Sequence, residues 1–256
     1  MKINQDTVNG IIENAKMANE GIYKKLCLDA NFKERFHLRP KRNEITIVST
    51  LSAAPMWGLS VEKGQLESTL EKLKNNFNTI CSVTRKTVLK GLKEVGYDVE
   101  REIDPPDSEA AVQAKFIQGL LVGQSDYEDI KFVASELTLG KESRFAEGKE
   151  KRFDVVGIRG GILYIFELKK DRTTKAMKQV ADYVKLVESN KPAFIKILSA
   201  YPNCDCVIDN FAVKGIAVME YAANATNELK KEAENNKVDL WFYKQALSFE
   251  KVKKSK

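Results

Sequence analysis

The chain has 256 residues, 43% hydrophobic and 30% charged, with a net charge of +6 and a pI near 8.9. This is enough apolar surface for a proper core in one large domain or two small ones, and the mild basicity permits nucleic acid as a partner without requiring it. No stretch approaches a membrane span and the first residues lack a signal-peptide core, so the expectation is a cytoplasmic protein with no membrane partner.

Residues 6–28 read as a helix, with Ile11, Ile12, Ala15, Ala18, Ile22 and Leu26 at helical spacing. Glu44–Leu51 reads as a strand, and Val61–Phe77 as a second amphipathic helix. Ser82–Tyr97 has a Ser start, a basic amphipathic body and a Gly stop, the signature of a third helix. With Arg85, Lys86, Lys90 and Lys93 it resembles the recognition helix of a winged-helix module, although any exposed basic helix has the same pattern. Asp104-Pro-Pro-Asp107 then blocks both helix and sheet and marks a linker.

Beyond the linker, residues 108–122 form a helix and Ile130–Leu139 a strand. A charged loop at 140–151 leads to two apolar runs, Arg152–Arg159 and Ile162–Lys169, joined by Gly160-Gly161. A helix spans Thr174–Ser189, and strands are expected at Ala193–Ala200 and Gly215–Tyr221. A charged helix at 226–237 and a Lys-rich tail close the chain. The expected division is 1–103, mostly helical; 108–222, α/β; and 223–256, helix and tail.

The cysteines Cys27, Cys81, Cys204 and Cys206 include only one close pair, and Cys-x-Cys alone is poor zinc spacing, so reduced thiols are expected. The single histidine, His37, is remote in sequence from the acids discussed below. That argues against histidine triads and histidine-rich metal sites, and leaves carboxylates and lysine as the candidate chemistry.

A Gly-Gly pair between two β-prone runs reads as a two-residue hairpin. Counting outward from a symmetric turn pairs Arg159 with Ile162 and, further out, Asp154 with Glu167, with Lys169 on the same face as Glu167. Like charges directly opposite one another destabilise a ladder, so two opposed acids in apolar strands call for a divalent cation such as Mg²⁺. The alternative is a solvated face on which Glu167 pairs with Lys169 or Arg152. A one-residue slip in register would separate the acids altogether.

The order helix, three strands, helix, strand, with Asp154 on the second strand and Glu167-Leu168-Lys169 on the third, resembles the PD-(D/E)XK nuclease superfamily. Gln179-Val-Ala-Asp-Tyr183 is similar to the Gln-x-x-x-Tyr signature of its RecB-like branch, and Phe132–Glu136 to that branch's first strand, which ends in an acid. Phe153 stands where the proline of the superfamily's name would be, and Glu109 is the best counterpart of its first-helix acid. Glu109 is equally explained as a first-turn acid favoured by the helix dipole. No iron–sulfur cluster is expected from Cys204 and Cys206.

The resemblance implies an α/β protein with a restriction-endonuclease-like αβββαβ core and a mostly helical α+β N-terminal region. It implies a Mg²⁺- or Mn²⁺-dependent nuclease hydrolysing phosphodiester bonds of DNA in a restriction, repair or mobile-element context, and it is compatible with a homodimer. Asp154, Glu167, the Leu168 carbonyl and Glu109 would hold the metal. Lys169 would position or help deprotonate the attacking water. Gln179 and Tyr183 would face the same site from one side of their helix; the alternative is that Tyr183 packs in the core and Gln179 caps a carbonyl. Basic residues around the hairpin, including Lys149, Lys151 and Lys178, offer phosphate contacts, while Glu142, Glu147 and Glu150 fit a merely solvated loop. The rival class is a non-catalytic nucleic-acid-binding or assembly protein retaining the nuclease fold.

Overall fold

The computed structural model describes residues 3–19, 36–42, 44–49, 55–60, 109–121, 123, 127, 129–139, 152–201, 209–221, 226–243 and 249–251. Its main layer is a six-stranded mixed sheet in sequential order: β4 (Lys131–Thr138), β5 (Arg152–Arg159), β6 (Ile162–Lys169), β7 (Ala212–Glu220), β8 (Asp239–Tyr243) and β9 (Phe249–Lys251). β4, β5 and β6 run antiparallel, β6, β7 and β8 run parallel, and β9 returns antiparallel on the edge. Parallel neighbours need crossovers. Helices α3 (Lys175–Glu188) and α4 (Lys191–Ala200) supply the first, and α5 (Thr226–Asn236) the second.

Both faces of the sheet are covered. One buries Val156, Ile158, Leu163 and Ile165 against α1 (Gln5–Ala18), α3 and α4. The other buries Val155, Phe166, Leu168, Ile216, Val218 and Trp241 against α2 (Glu109–Leu121). Double burial explains why β6 and β8 read as unbroken apolar runs rather than alternating ones.

β5 and β6 turn through Gly160 (φ 52°) and Gly161 (φ 76°). Positive φ at both positions is the type I′ requirement, and its twist matches that of the flanking strands. At Gly215 on β7 an added Cβ would lie 2.4 Å from Val180 Cγ1, so the missing side chain lets α3 settle closely on the sheet.

Two expectations fail. Ala193–Ala200 is not a strand but part of α4. Pro192 sits in the first turn, where its missing N–H costs nothing, and Phe194, Ile197 and Leu198 bury one helical face. The strand that follows α3 and α4 is β7, so the order is αβββααβ. The chain's end is also more than a helix and tail: Leu240, Trp241, Phe242 and Tyr243 are buried, and β8 extends the sheet beyond β7.

In the N-terminal region, α1 begins at Asn4, whose side chain accepts the Thr7 N–H at 2.8 Å. Its buried Val8, Ile11 and Ala15 belong to the same core as β5 and β6. β1 (Phe36–Pro40), β2 (Glu44–Ser49) and β3 (Pro55–Ser60) form a separate antiparallel sheet. The expected helices Val61–Phe77 and Ser82–Tyr97, the four cysteines and the 140–151 loop lie outside the described residues.

Candidate active site

The hairpin register is the expected one, running from Arg159↔Ile162 to Val155↔Phe166. There β5 and β6 part. β5 stays with β4 through Phe153↔Leu137 and Arg152↔Thr138, while β6 stays with β7 out to Lys169↔Met219. Asp154 and Glu167 are the first residues past the last paired rung. Asp154 Oδ2 bridges the gap by accepting the Leu168 N–H at 2.9 Å.

Glu167 is 1% exposed. Its Oε1 lies 2.9 Å from Lys169 Nζ, an ion pair without hydrogen-bond geometry, and its Oε2 has no hydrogen-bond partner. Lys169 Nζ also donates to Glu109 Oε1 at 3.1 Å, so one ammonium joins the N-terminus of α2 to the end of β6. Glu109 therefore reaches the cluster through Lys169.

The charges act on one another. Burial pushes the Asp154 carboxyl up to about 6, with Lys169 and the Leu168 N–H pulling the other way. Burial, then the neighbouring Asp154, holds Glu167 well above the usual carboxylate range despite Lys169. Burial disfavours the Lys169 ammonium, but Glu167, Asp154 and Glu109 outweigh it and raise its pKa.

Gln113, missed at the sequence level, and Glu136, named there only as the acid of the first strand, hold this arrangement. Gln113 Nε2, on α2, donates to both Glu136 Oε1 and the Asp154 carbonyl at 3.0 Å. Glu136 Oε2 pairs with Arg152 Nε at 2.7 Å. Glu136 has φ 52°, a conformation costly for a residue with a Cβ. Directly across from it, the alternation of β5 breaks, with Phe153 and Val156 in one core and Val155 in the other. Gln113 could have been found as the polar residue on α2's otherwise apolar face.

Gln179 Nε2 donates to Tyr183 Oη at 2.8 Å, and Tyr183 Oη donates to the Arg152 carbonyl at 2.7 Å. The Tyr183 ring meets Phe153 edge-on at 4.6 Å. Burial, and then the Glu167 carboxylate, raise the Tyr183 pKa. Tyr183 thus packs in the core, but it is Tyr183 and not Gln179 that bonds the carbonyl; the Gln179 amide goes to the Tyr183 hydroxyl.

The donor set fits a hard cation in part. Two buried carboxyls that resist ionising beside each other, one with an unused oxygen, are what a divalent ion would relieve. Among the described residues, no three His, Cys, Asp or Glu stand together as a metal site, so a bound Mg²⁺ would keep several water ligands. No helix among the described residues is long and apolar enough to cross a membrane. Neither a family model nor a curated protein matches this sequence.

Proposed function

We propose that the protein is a metal-dependent nuclease with a restriction-endonuclease-like core, hydrolysing phosphodiester bonds of DNA. The observation that carries this reading is the pair of buried acids at the parting of β5 and β6, with Lys169 beside them. Asp154, Glu167 and the Leu168 carbonyl would hold Mg²⁺ or Mn²⁺, which supplies polarisation of the scissile phosphate and an acidified water. Lys169, with its raised pKa, stays protonated at neutral pH. It acts as a cation that orients water and offsets developing charge, not as the base. Glu109 steadies the ammonium, and Gln179 and Tyr183 fix the strand that bears Asp154.

A second reading, a nucleic-acid-binding or assembly protein, draws support from Lys169's simultaneous pairing with Glu109 and Glu167, which partly satisfies the cluster without metal. One experiment separates them. Wild-type protein with Mn²⁺ or Mg²⁺ is offered single-stranded, duplex and flapped DNA and structured RNA. Cleavage lost in Asp154→Asn supports the nuclease. A gel shift with no cleavage of any substrate favours the binding protein. The same ions should raise the melting temperature of the wild type and not of Asp154→Asn.

A further inference from the structure

Two hydrogen bonds from outside the strand ladders meet on Asp154. Its carboxyl accepts the Leu168 N–H of β6, and its carbonyl accepts the Gln113 amide of α2 at 3.0 Å. The same Gln113 nitrogen donates to Glu136 Oε1 on β4, again at 3.0 Å. Glu136 stands opposite Asp154, between the rungs Ser135↔Val155 and Leu137↔Phe153. One amide therefore ties the helix to both strands at the level of the acids, just past the last β5–β6 rung.

Gln113 is 8% exposed and is buried along with Val112, Phe116, Ile117 and Leu120 of α2. A buried amide on such a face costs stability unless its hydrogens are used, and helix packing alone would be served by a methionine of similar length. Its acceptors are themselves held. Arg152 Nε pairs with Glu136 Oε2 at 2.7 Å. The Ser135 hydroxyl, one residue earlier, accepts the Arg39 Nε–H at 3.2 Å and lies 2.7 Å from His37 Nε2. Glu136 keeps a φ of 52° within this frame. Gln113 thus meets a fixed carboxylate on one side, and its bond to the Asp154 carbonyl passes that position on to β5 where β6 has left it.

We propose that Gln113 is a positioning residue for Asp154: by holding the carbonyl it fixes the strand end from which the carboxyl reaches the Leu168 N–H. Carboxyl groups that hold a metal depend on partners of this kind, which act through the ligand without touching the ion. That the placement serves a metal rests on the function proposed above; the placement itself does not.

The test uses the full chain with Gln113→Met, which keeps the side chain's length and loses its donors. Native-state amide exchange without metal reads the placement. The Leu168 amide should exchange about 5–10-fold faster in the variant, measured relative to the amides of the β5–β6 ladder from Arg159 to Val155. A purely structural role would speed them all together. Titration calorimetry with Mn²⁺ reads the consequence: the variant should bind about 10–100-fold more weakly than wild type. Val112→Ala, which loosens the packing of the same helix, should speed the amides together and leave Mn²⁺ affinity unchanged. If Gln113→Met does not fold, Gln113→Asn is read instead; it draws the amide back by one methylene and should show the same local pattern to a smaller degree. Leu168 exchange in step with the ladder, Mn²⁺ affinity equal to wild type, or an equal Mn²⁺ loss in Val112→Ala overturns the role of Gln113. A wild type that binds no Mn²⁺ counts against the metal site, and the exchange at Leu168 then decides the placement alone.

Discussion

The two buried polar clusters beside β4 and β5 are opposite in kind. Around Asp154 and Glu167 there is too much negative charge: buried carboxyls, one lysine shared with Glu109, and an oxygen with no partner. Around Ser135 there are too many donors: a guanidinium and an imidazole converging on one hydroxyl, with nitrogens left over. The residue between them is Glu136, held in a positive-φ conformation by Arg152 and Gln113. Glu136 also lies close enough to act on Arg39, so the two excesses meet at this residue.

The comparison breaks most sharply at Lys169. Lys169→Ala should lower cleavage by about 10²–10³-fold while leaving nucleic-acid affinity nearly unchanged, because it removes a charge aimed at the reacting centre. Lys170→Ala, in the exposed bend beyond β6, should keep activity. Equal rates in the two variants would show that the active face is misassigned.

The excess negative charge has a stability signature. Asp154 has a folded pKa of about 6 against an ordinary 3.8, so the folded state binds a proton more tightly than the unfolded chain. Its contribution is fully present below about pH 4 and is lost as pH rises through about 6. Metal-free Asp154→Asn should therefore be more stable than wild type by about 2–3 kcal/mol at pH 8, with the difference gone at pH 4. Urea melts in EDTA at the two pH values measure it, and a pH-independent difference would contradict the burial of Asp154. Glu167→Gln should shift stability in the same direction, whereas marked loss of apo stability would identify the Glu167–Lys169 pair as structural.

The supports should be worth less. Gln113→Ala removes the donor shared by Glu136 and the Asp154 carbonyl and should cost about 1–3 kcal/mol. Gln179→Ala leaves Tyr183 bonded to the Arg152 carbonyl and should cost about 0.5–1.5 kcal/mol. Thermal denaturation of both variants gives the order, and a larger loss for Gln179→Ala would reverse the roles assigned to them.

The hairpin was legible because a two-glycine turn fixes register locally, and register alone brings Asp154 to Glu167. The parting of the strands was not, since it depends on β4 and β7 competing for the two partners. Residues 193–200 misled because Phe-Ile-Lys-Ile-Leu satisfies strand composition; Asn190 and Pro192 marked a helix start in the sequence. β8 lay hidden as a short apolar run after a charged helix, recognisable only once its two covered faces are known. Arg39 and His37 carried no motif at all. Ser135, nearly a hundred positions away, is what brings them together.

The bond from the Asn19 side chain to the Ala200 carbonyl, 2.8 Å long, joins residues 181 positions apart. The β5–β6 hairpin closes over two residues and can form as soon as it is made, whereas the docking of α1 on α4 closes a very long loop. Because synthesis runs from the N-terminus, α1 is made long before α4, the helix it packs against. Its apolar face, Val8, Ile11 and Ala15, must wait uncovered until Ala200 and its neighbours have been made.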